Sequence, residues 1–224
     1  KSENATAPGC MHMNASLPDN PAFWHKGLFQ TLQTQGYATG VFGKLLNDMS
    51  TYGCNGAESF AATELNRSMV MCNPNFYNVN WADFTRLDNG SVSGHVHELG
   101  SNPEDYSTNV VGNSSITWIT SILDMPSDSR PPFFAYLGPH APHLPSTPPP
   151  YHVDDAIAKI PVPRDPIWNI TDTNKHSFLA TEPEINEADL KAIQTEHTHR
   201  LQSLVAVDNV VEVCEEEDGD DDIC

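Results

Sequence analysis

The chain has 224 residues and a formal net charge of -19, and much of the excess acid sits in the terminal "CEEEDGDDDIC" (214–224). Such a balance argues against nucleic acid or an anionic membrane surface as partner, because both reward basic patches. No apolar run reaches the roughly 18 residues a membrane span needs.

In chain order, residues 1–19 are polar and Pro-interrupted and read as a surface segment. A helix is predicted from Asn20-Pro21, with Phe23, Leu28, Phe29 and Leu32 at helical spacing. It ends near Gly36, and "YATGVF" (37–42) follows as a strand running into Gly43-Lys44. Residues 48–75 are weakly patterned and read as a long loop. The stretch 76–99 alternates about Asp88-Asn89-Gly90, the strongest short hairpin signal. Residues 105–123 carry Val110, Val111, Ile116, Ile119, Ile122 and Leu123 on one helical stripe, interrupted by Gly112. "PPFFAYLG" (131–138) reads as a buried strand and leads into "PHAPHLPSTPPPYH", too rich in Pro for regular structure. Residues 153–185 look irregular. Residues 186–213 turn helical, with acids enriched at the start as the helix dipole prefers. The tail 214–224 cannot bury its charges and is expected to be solvated or disordered.

Five cysteines, Cys10, Cys54, Cys72, Cys214 and Cys224, do not make a dense framework, and the odd count leaves at least one unpaired within the chain. Six N-x-S/T sequons, at Asn4, Asn14, Asn66, Asn89, Asn113 and Asn169, exceed the roughly two or three expected by chance. They favour a secretory-pathway location, lysosomal or extracellular.

Two predicted strands end on polar clusters. One runs into Lys44, the other into His140 and His143. In a doubly wound sheet, strand carboxyl ends share a crevice. A lysine and histidines there would suit a tetrahedral anion whose ester oxygen needs a proton on leaving. "TNKH" (173–176) adds Lys175 and His176 from a long loop. The plainer readings are a solvated lysine after a strand and surface histidines in a loop. No histidine or cysteine spacing suits a metal, and Cys72 in "CNPNF" reads as a turn residue.

"GYATGVFGKLLN" (36–47) together with "PFFAYLGPHAPHLPSTPPPYH", "TNKH" and "LQSLVAVDNVV" (201–211) resembles the sulfatases of the alkaline phosphatase superfamily, in the branch that acts on N-acetylglucosamine 6-sulfate. The resemblance spans about residues 20–211. It implies an α/β fold: an alkaline-phosphatase-like sandwich with a central mixed sheet flanked by helices, incomplete in this chain, with a β-hairpin insertion. The implied layout is a surface segment at 1–19, a partial sulfatase domain at 20–213 and an acidic tail at 214–224.

The implied partner is a sulfated carbohydrate. Lys44 and His143 would contact the sulfate, His143 would protonate the departing sugar oxygen, and His140, Lys175 and His176 would lie near substrate. Lys44 and His143 are expected to face one crevice. Leu46 stands where many arylsulfatases carry a second catalytic histidine. The family's cofactors are calcium and a formylglycine made from the cysteine of Cys-x-Pro-x-Arg. That motif and the paired aspartates that bind calcium do not occur in their expected order here, so both cofactors are expected to lie outside residues 1–224. The chain then reads as a middle slice of a sulfatase domain and is expected to be inactive alone. Two other readings stay open: a non-catalytic secreted glycoprotein that binds sulfated glycans, and a related phosphate-ester hydrolase.

Overall fold

The structure, a computed structural model, describes residues 27–47, 54, 65–165, 168–169, 174, 176 and 183–216. The expected surface segment, the start of the first helix and most of the acidic tail lie outside them. Two compact units divide the chain, one of Lys1–His140 with Val213–Cys224, the other of Ala141–Glu212.

The first unit opens on helix α1, Leu28–Thr34. Gly36, at φ +87°, ends it: the Gly36 N–H donates to Gln33 O at 3.0 Å and the Tyr37 N–H to Leu32 O at 3.1 Å. That is the paired closure a helix makes when glycine takes the left-handed position. Strand β1, Ala38–Gly43, follows at once. Its residues from Thr39 onward are buried, as befits a strand covered on both faces.

Strand β2, Arg67–Met71, lies inside the stretch that reads from sequence as loop. Its apolar run is only "MVM", too short to show a period. Burial on both faces in the middle of the sheet makes it a strand. Strands β3, Asn80–Arg86, and β4, Val92–Glu98, form the expected hairpin about Asn89-Gly90. The hairpin is not set apart from the sheet. β3 pairs antiparallel with β2 from Met71↔Trp81 to Arg67↔Thr85.

Helix α2 runs Ser107–Leu123, as its stripe predicts. Gly112, which weakens the pattern in sequence, is buried along with Val110, Val111 and Ser115, so small size suits the contact. Strand β5, Phe133–Gly138, closes the set. It was expected to be buried, yet its residues are half-buried and Tyr136 is exposed. The cause is position: among the described residues the order is β4-β3-β2-β1-β5, which leaves β5 at an edge. β1 pairs parallel with β2 and β5, and β3 and β4 are antiparallel. The sheet is therefore mixed, as expected.

Alternation along the strands sends side chains to two apolar layers. Val41, Leu65, Val70, Ala82 and Phe84 pack on one face with Phe29 of α1. Phe42, Met69, Met71, Trp81, Val110 and Val111 pack on the other, with Trp118 of α2 against them. Phe42 and Trp118 meet at 5.7 Å between ring centroids, and Trp118 meets Phe133 edge-on at 6.0 Å.

A disulfide joins Cys54 to Cys72 just past β2, with Cα atoms 5.8 Å apart. Cysteine counting did not show this pairing. It closes a loop of sequence separation 18. Cys72→Ser is expected to lower unfolding stability by about 2–4 kcal/mol, mainly by releasing that loop in the unfolded chain. Denaturant titration of the variant against the oxidised parent checks it, and an unchanged midpoint would refute it.

The second unit carries irregular chain from Ala141 onward and helix α3, Glu187–Glu216, which it holds as far as Glu212. Asn186 starts the helix, its Oδ1 accepting from Ala188 N at 2.9 Å and Asp189 N at 3.0 Å. Asp189 Oδ2 accepts in return from Asn186 N at 3.2 Å. This reciprocal cap explains the acidic start. The helix runs past its expected end at 213 into the first acids of the tail.

Candidate active site

In the first unit, β1 and β5 run parallel and in register from Ala38↔Phe133 to Gly43↔Gly138, so their carboxyl ends lie side by side. Two glycines permit the approach. Gly43 sits at φ +97°, and a Cβ there would collide with the Gly138 carbonyl; a Cβ on Gly138 would collide with the Lys44 carbonyl. The Lys44 N–H donates to Gly138 O at 2.7 Å and carries the pairing one residue beyond the strand. Lys44 is thus anchored through its backbone while its side chain is half-buried at the sheet's carboxyl end. That is where an open α/β sheet places ligands.

His140 comes two residues after Gly138 at the same end. It is buried, at 5 % exposure, and its ring meets Phe76 edge-on at 4.9 Å. Phe76 in turn stacks on buried Tyr106 at 5.8 Å. The expectation of a surface histidine fails for His140, because this aromatic layer covers it. Leu46 is half-buried and packs on the layer of Val41 and Val70. An apolar residue suits that place better than a second catalytic histidine would. Cys72 is bonded to Cys54 and cannot serve as a nucleophile in that state. The described residues do not fit a metal centre: no group of three or more His, Cys, Asp or Glu side chains converges among them.

In the second unit, His143 is exposed, with Nδ1 2.8 Å from the Leu144 carbonyl oxygen. A carbonyl only accepts, so Nδ1 carries a proton. The turn that presents His143 is closed by Ser146, which is fully buried at φ +52°. The Ser146 N–H donates to His143 O at 2.8 Å, and Ser146 Oγ stands 2.5 Å from Glu196 Oε1 on α3. Glu196 also accepts from Arg200 Nε at 3.1 Å. Sequence reading missed this Ser146–Glu196–Arg200 clamp. Only the Glu196/Arg200 spacing of four, a helical ion-pair signal, was legible. Trp168, Glu196, His197 and Arg200 line an open groove of about 490 Å³. His176 is exposed, and Lys175 lies outside the described residues.

Burial pushes the Glu196 carboxyl up. Hydrogen bonds from Ser146 and Arg200, with the charges of Arg200 and His199, outweigh it and hold the group below its ordinary value. A lowered folded value means that the carboxylate contributes stability above the unfolded value and loses it as pH falls through the folded one. The stability gap between the parent and Glu196→Gln is therefore expected to be full at neutral pH and to shrink on acidification below the usual carboxylate range. Paired denaturation curves across pH 3–7 test this, and a gap independent of pH would refute it.

An open mixed sheet with flanking helices and a lysine at the carboxyl end of a central parallel strand is an α/β scaffold of the alkaline-phosphatase-like kind. The Sulfatase family model matches residues 3–213, and the chain belongs to the sulfatase family. It is similar to N-acetylglucosamine-6-sulfatase of Capra hircus, 31% identical over 183 residues, covering 79% of this chain and 29% of that protein. The N-acetylglucosamine-6-sulfatase of Homo sapiens is 29% identical over 180 residues, with 79% and 30% covered. Sulfatase ppz1 of Metarhizium majus is 26% identical over 133 residues, with 56% and 29% covered. The chain thus spans less than a third of the length of these relatives.

Proposed function

We propose that the protein serves hydrolysis of a sulfate ester on a carbohydrate, with the 6-sulfate of N-acetylglucosamine in glycosaminoglycans as the first candidate. The observation that carries the reading is Lys44, tied by its backbone to the end of β5 at the carboxyl edge of the sheet of a sulfatase-family chain. The relatives' names point to the sugar.

In this reading Lys44 holds the sulfate through a charge-assisted contact that strengthens as charge builds on the departing oxygen. His143 contacts the sulfate and donates a proton to the sugar oxygen as the S–O bond breaks. With Nδ1 bonded to the Leu144 carbonyl oxygen, donation to the sugar oxygen would run through Nε2. Ser146 and Glu196 set the turn on which His143 rides. Lys175, His176 and His140 lie near the sugar in this reading. Formylglycine and calcium would supply the nucleophile and the neutralising charge. No Cys-x-Pro-x-Arg lies in residues 1–224, so the formylglycine would belong to a part of the enzyme beyond them, and the calcium would be held outside the described residues. The Cys54–Cys72 disulfide and the sequons support a secretory-pathway glycoprotein, lysosomal or extracellular. No described helix is long and apolar enough to cross a membrane.

The test is turnover by the complete enzyme of N-acetylglucosamine 6-sulfate, an aryl sulfate and the matching phosphate esters. Sulfate turnover supports the reading, and phosphate turnover alone refutes it. Binding of sulfated glycan without turnover would also refute it, in favour of a non-catalytic scaffold. His143→Ala is expected to slow the sugar sulfate more than the phenyl sulfate, because an alkoxide needs a proton on leaving and a phenoxide does so far less. Equal losses would remove His143 as the acid and leave it a sulfate contact.

A further inference from the structure

We propose that Asn89 carries an N-linked glycan in the folded protein and that Asn66 stays bare. Both are sequons, Asn89-Gly90-Ser91 and Asn66-Arg67-Ser68, yet the fold uses their amides in opposite ways.

Asn89 stands at the tip of the β3–β4 hairpin, where residues 87–91 are all exposed. Gly90 takes φ +80°, with open space around it, and supplies the left-handed turn. The Asn89 side chain folds over its own sequon. Oδ1 accepts from Ser91 N at 2.9 Å and from Ser91 Oγ at 2.7 Å. These bonds engage the oxygen of the amide and the hydroxyl of the sequon together, and among the described residues Nδ2 makes no hydrogen bond. The nitrogen that must be modified is thus at the surface, on the exposed five-residue connection between β3 and β4, with open space around Gly90.

Asn66 is built into the sheet. It immediately precedes β2, and its Oδ1 accepts from Thr39 N at 2.9 Å and Thr39 Oγ1 at 3.2 Å. Its own N–H donates to Thr39 O at 3.0 Å. The side chain therefore extends the β1–β2 ladder by one rung in place of backbone. Gln33 Nε2 of α1 caps the same Thr39 hydroxyl at 2.6 Å. Ser68, whose hydroxyl the sequon needs, is fully buried in β2. A glycan added to Asn66 before folding would have to be accommodated at this junction of α1, β1 and β2. Chains that reach the folded pool are those left bare there.

The modification is a group transfer from a lipid-linked oligosaccharyl pyrophosphate. Asn89 Nδ2 forms a bond to the anomeric carbon, the bond from that carbon to the pyrophosphate oxygen breaks, and the lipid pyrophosphate leaves with the electron pair. Nδ2 gives up one proton, and nothing is oxidised or reduced. Once attached, the glycan stands beside β4, the outer strand among the described residues, and shields an edge that could otherwise pair with another chain.

The inference rests on the secretory route proposed above for the natural host, so the experiment supplies that route itself and needs no sulfatase activity. The chain is expressed behind a heterologous secretory leader in a eukaryotic host, and the oxidised, protease-resistant pool is collected. Release of glycans by peptide N-glycosidase in heavy-oxygen water then marks each former glycosylation site as labelled aspartate. The expected result is label at position 89 and unmodified asparagine at 66. Ser91→Ala and Asn89→Gln should each remove one glycan's step in gel mobility, and Ser91→Thr should keep it. An unlabelled position 89 in the parent pool would overturn the proposal, and so would label at position 66.

Discussion

Lys44→Ala in the complete enzyme is expected to slow hydrolysis of a sulfate ester by about 10²–10³-fold, the loss seen when one donor to a developing oxyanion is removed, or about 2.7–4 kcal/mol. The expectation follows from how the residue is held. Gly43 and Gly138 bring the ends of β1 and β5 together, and the Lys44 N–H is spent on Gly138 O, so only the side chain remains to meet an anion. Removing the amine should leave the strand ends intact. Unfolding stability is therefore expected to change little while kcat/KM falls. Lys44→Arg keeps the charge but changes its shape and reach, and should recover only part of the rate. A loss below tenfold for Lys44→Ala, or a loss matched by unfolding, would show that the lysine is a solvated strand end.

Trp81→Ala is expected to cost about 3–5 kcal/mol of unfolding stability. Trp81 is fully buried on β3, opposite Met71 of β2 and His97 of β4, in the layer that holds Phe42, Val110 and Val111. Truncation would open a cavity at the joint between hairpin and sheet. Trp81→Phe should be far milder. The indole N–H is buried with no hydrogen-bond partner among the described residues, so phenylalanine removes a donor without orphaning an acceptor. Denaturant titrations of the two variants test this. If Trp81→Ala falls within 1 kcal/mol of the parent, the hairpin does not share the cooperative core.

That result would also decide how the hairpin is understood. Asp88-Asn89-Gly90 and the alternation beside it are a local signal, and the two strands formed where that signal predicts. The pairing of β3 with β2 is not local. It depends on "RSMVM", five residues with no readable period that become a strand only between β1 and β3.

What the sequence determined by itself was everything that short-range physics decides. Gly36 ends α1 by its left-handed freedom, the stripe from Val110 to Ile122 makes α2, and the acids after Asn186 begin α3. The order of motifs around Lys44 and "PHAPH" pointed to the family that the comparisons show. Tertiary structure decided the rest, because each remaining feature joins residues far apart in the chain. Cys54 finds Cys72 only once β2 is placed, and Ser146 meets Glu196 fifty residues later only when α3 packs back on the turn. His140 and His143, three residues apart and alike in sequence, end in opposite environments. The layer of Phe76 and Tyr106 covers the first, and the turn closed by Ser146 leaves the second exposed. Burial is set by what packs above a residue, and no local pattern carries that information.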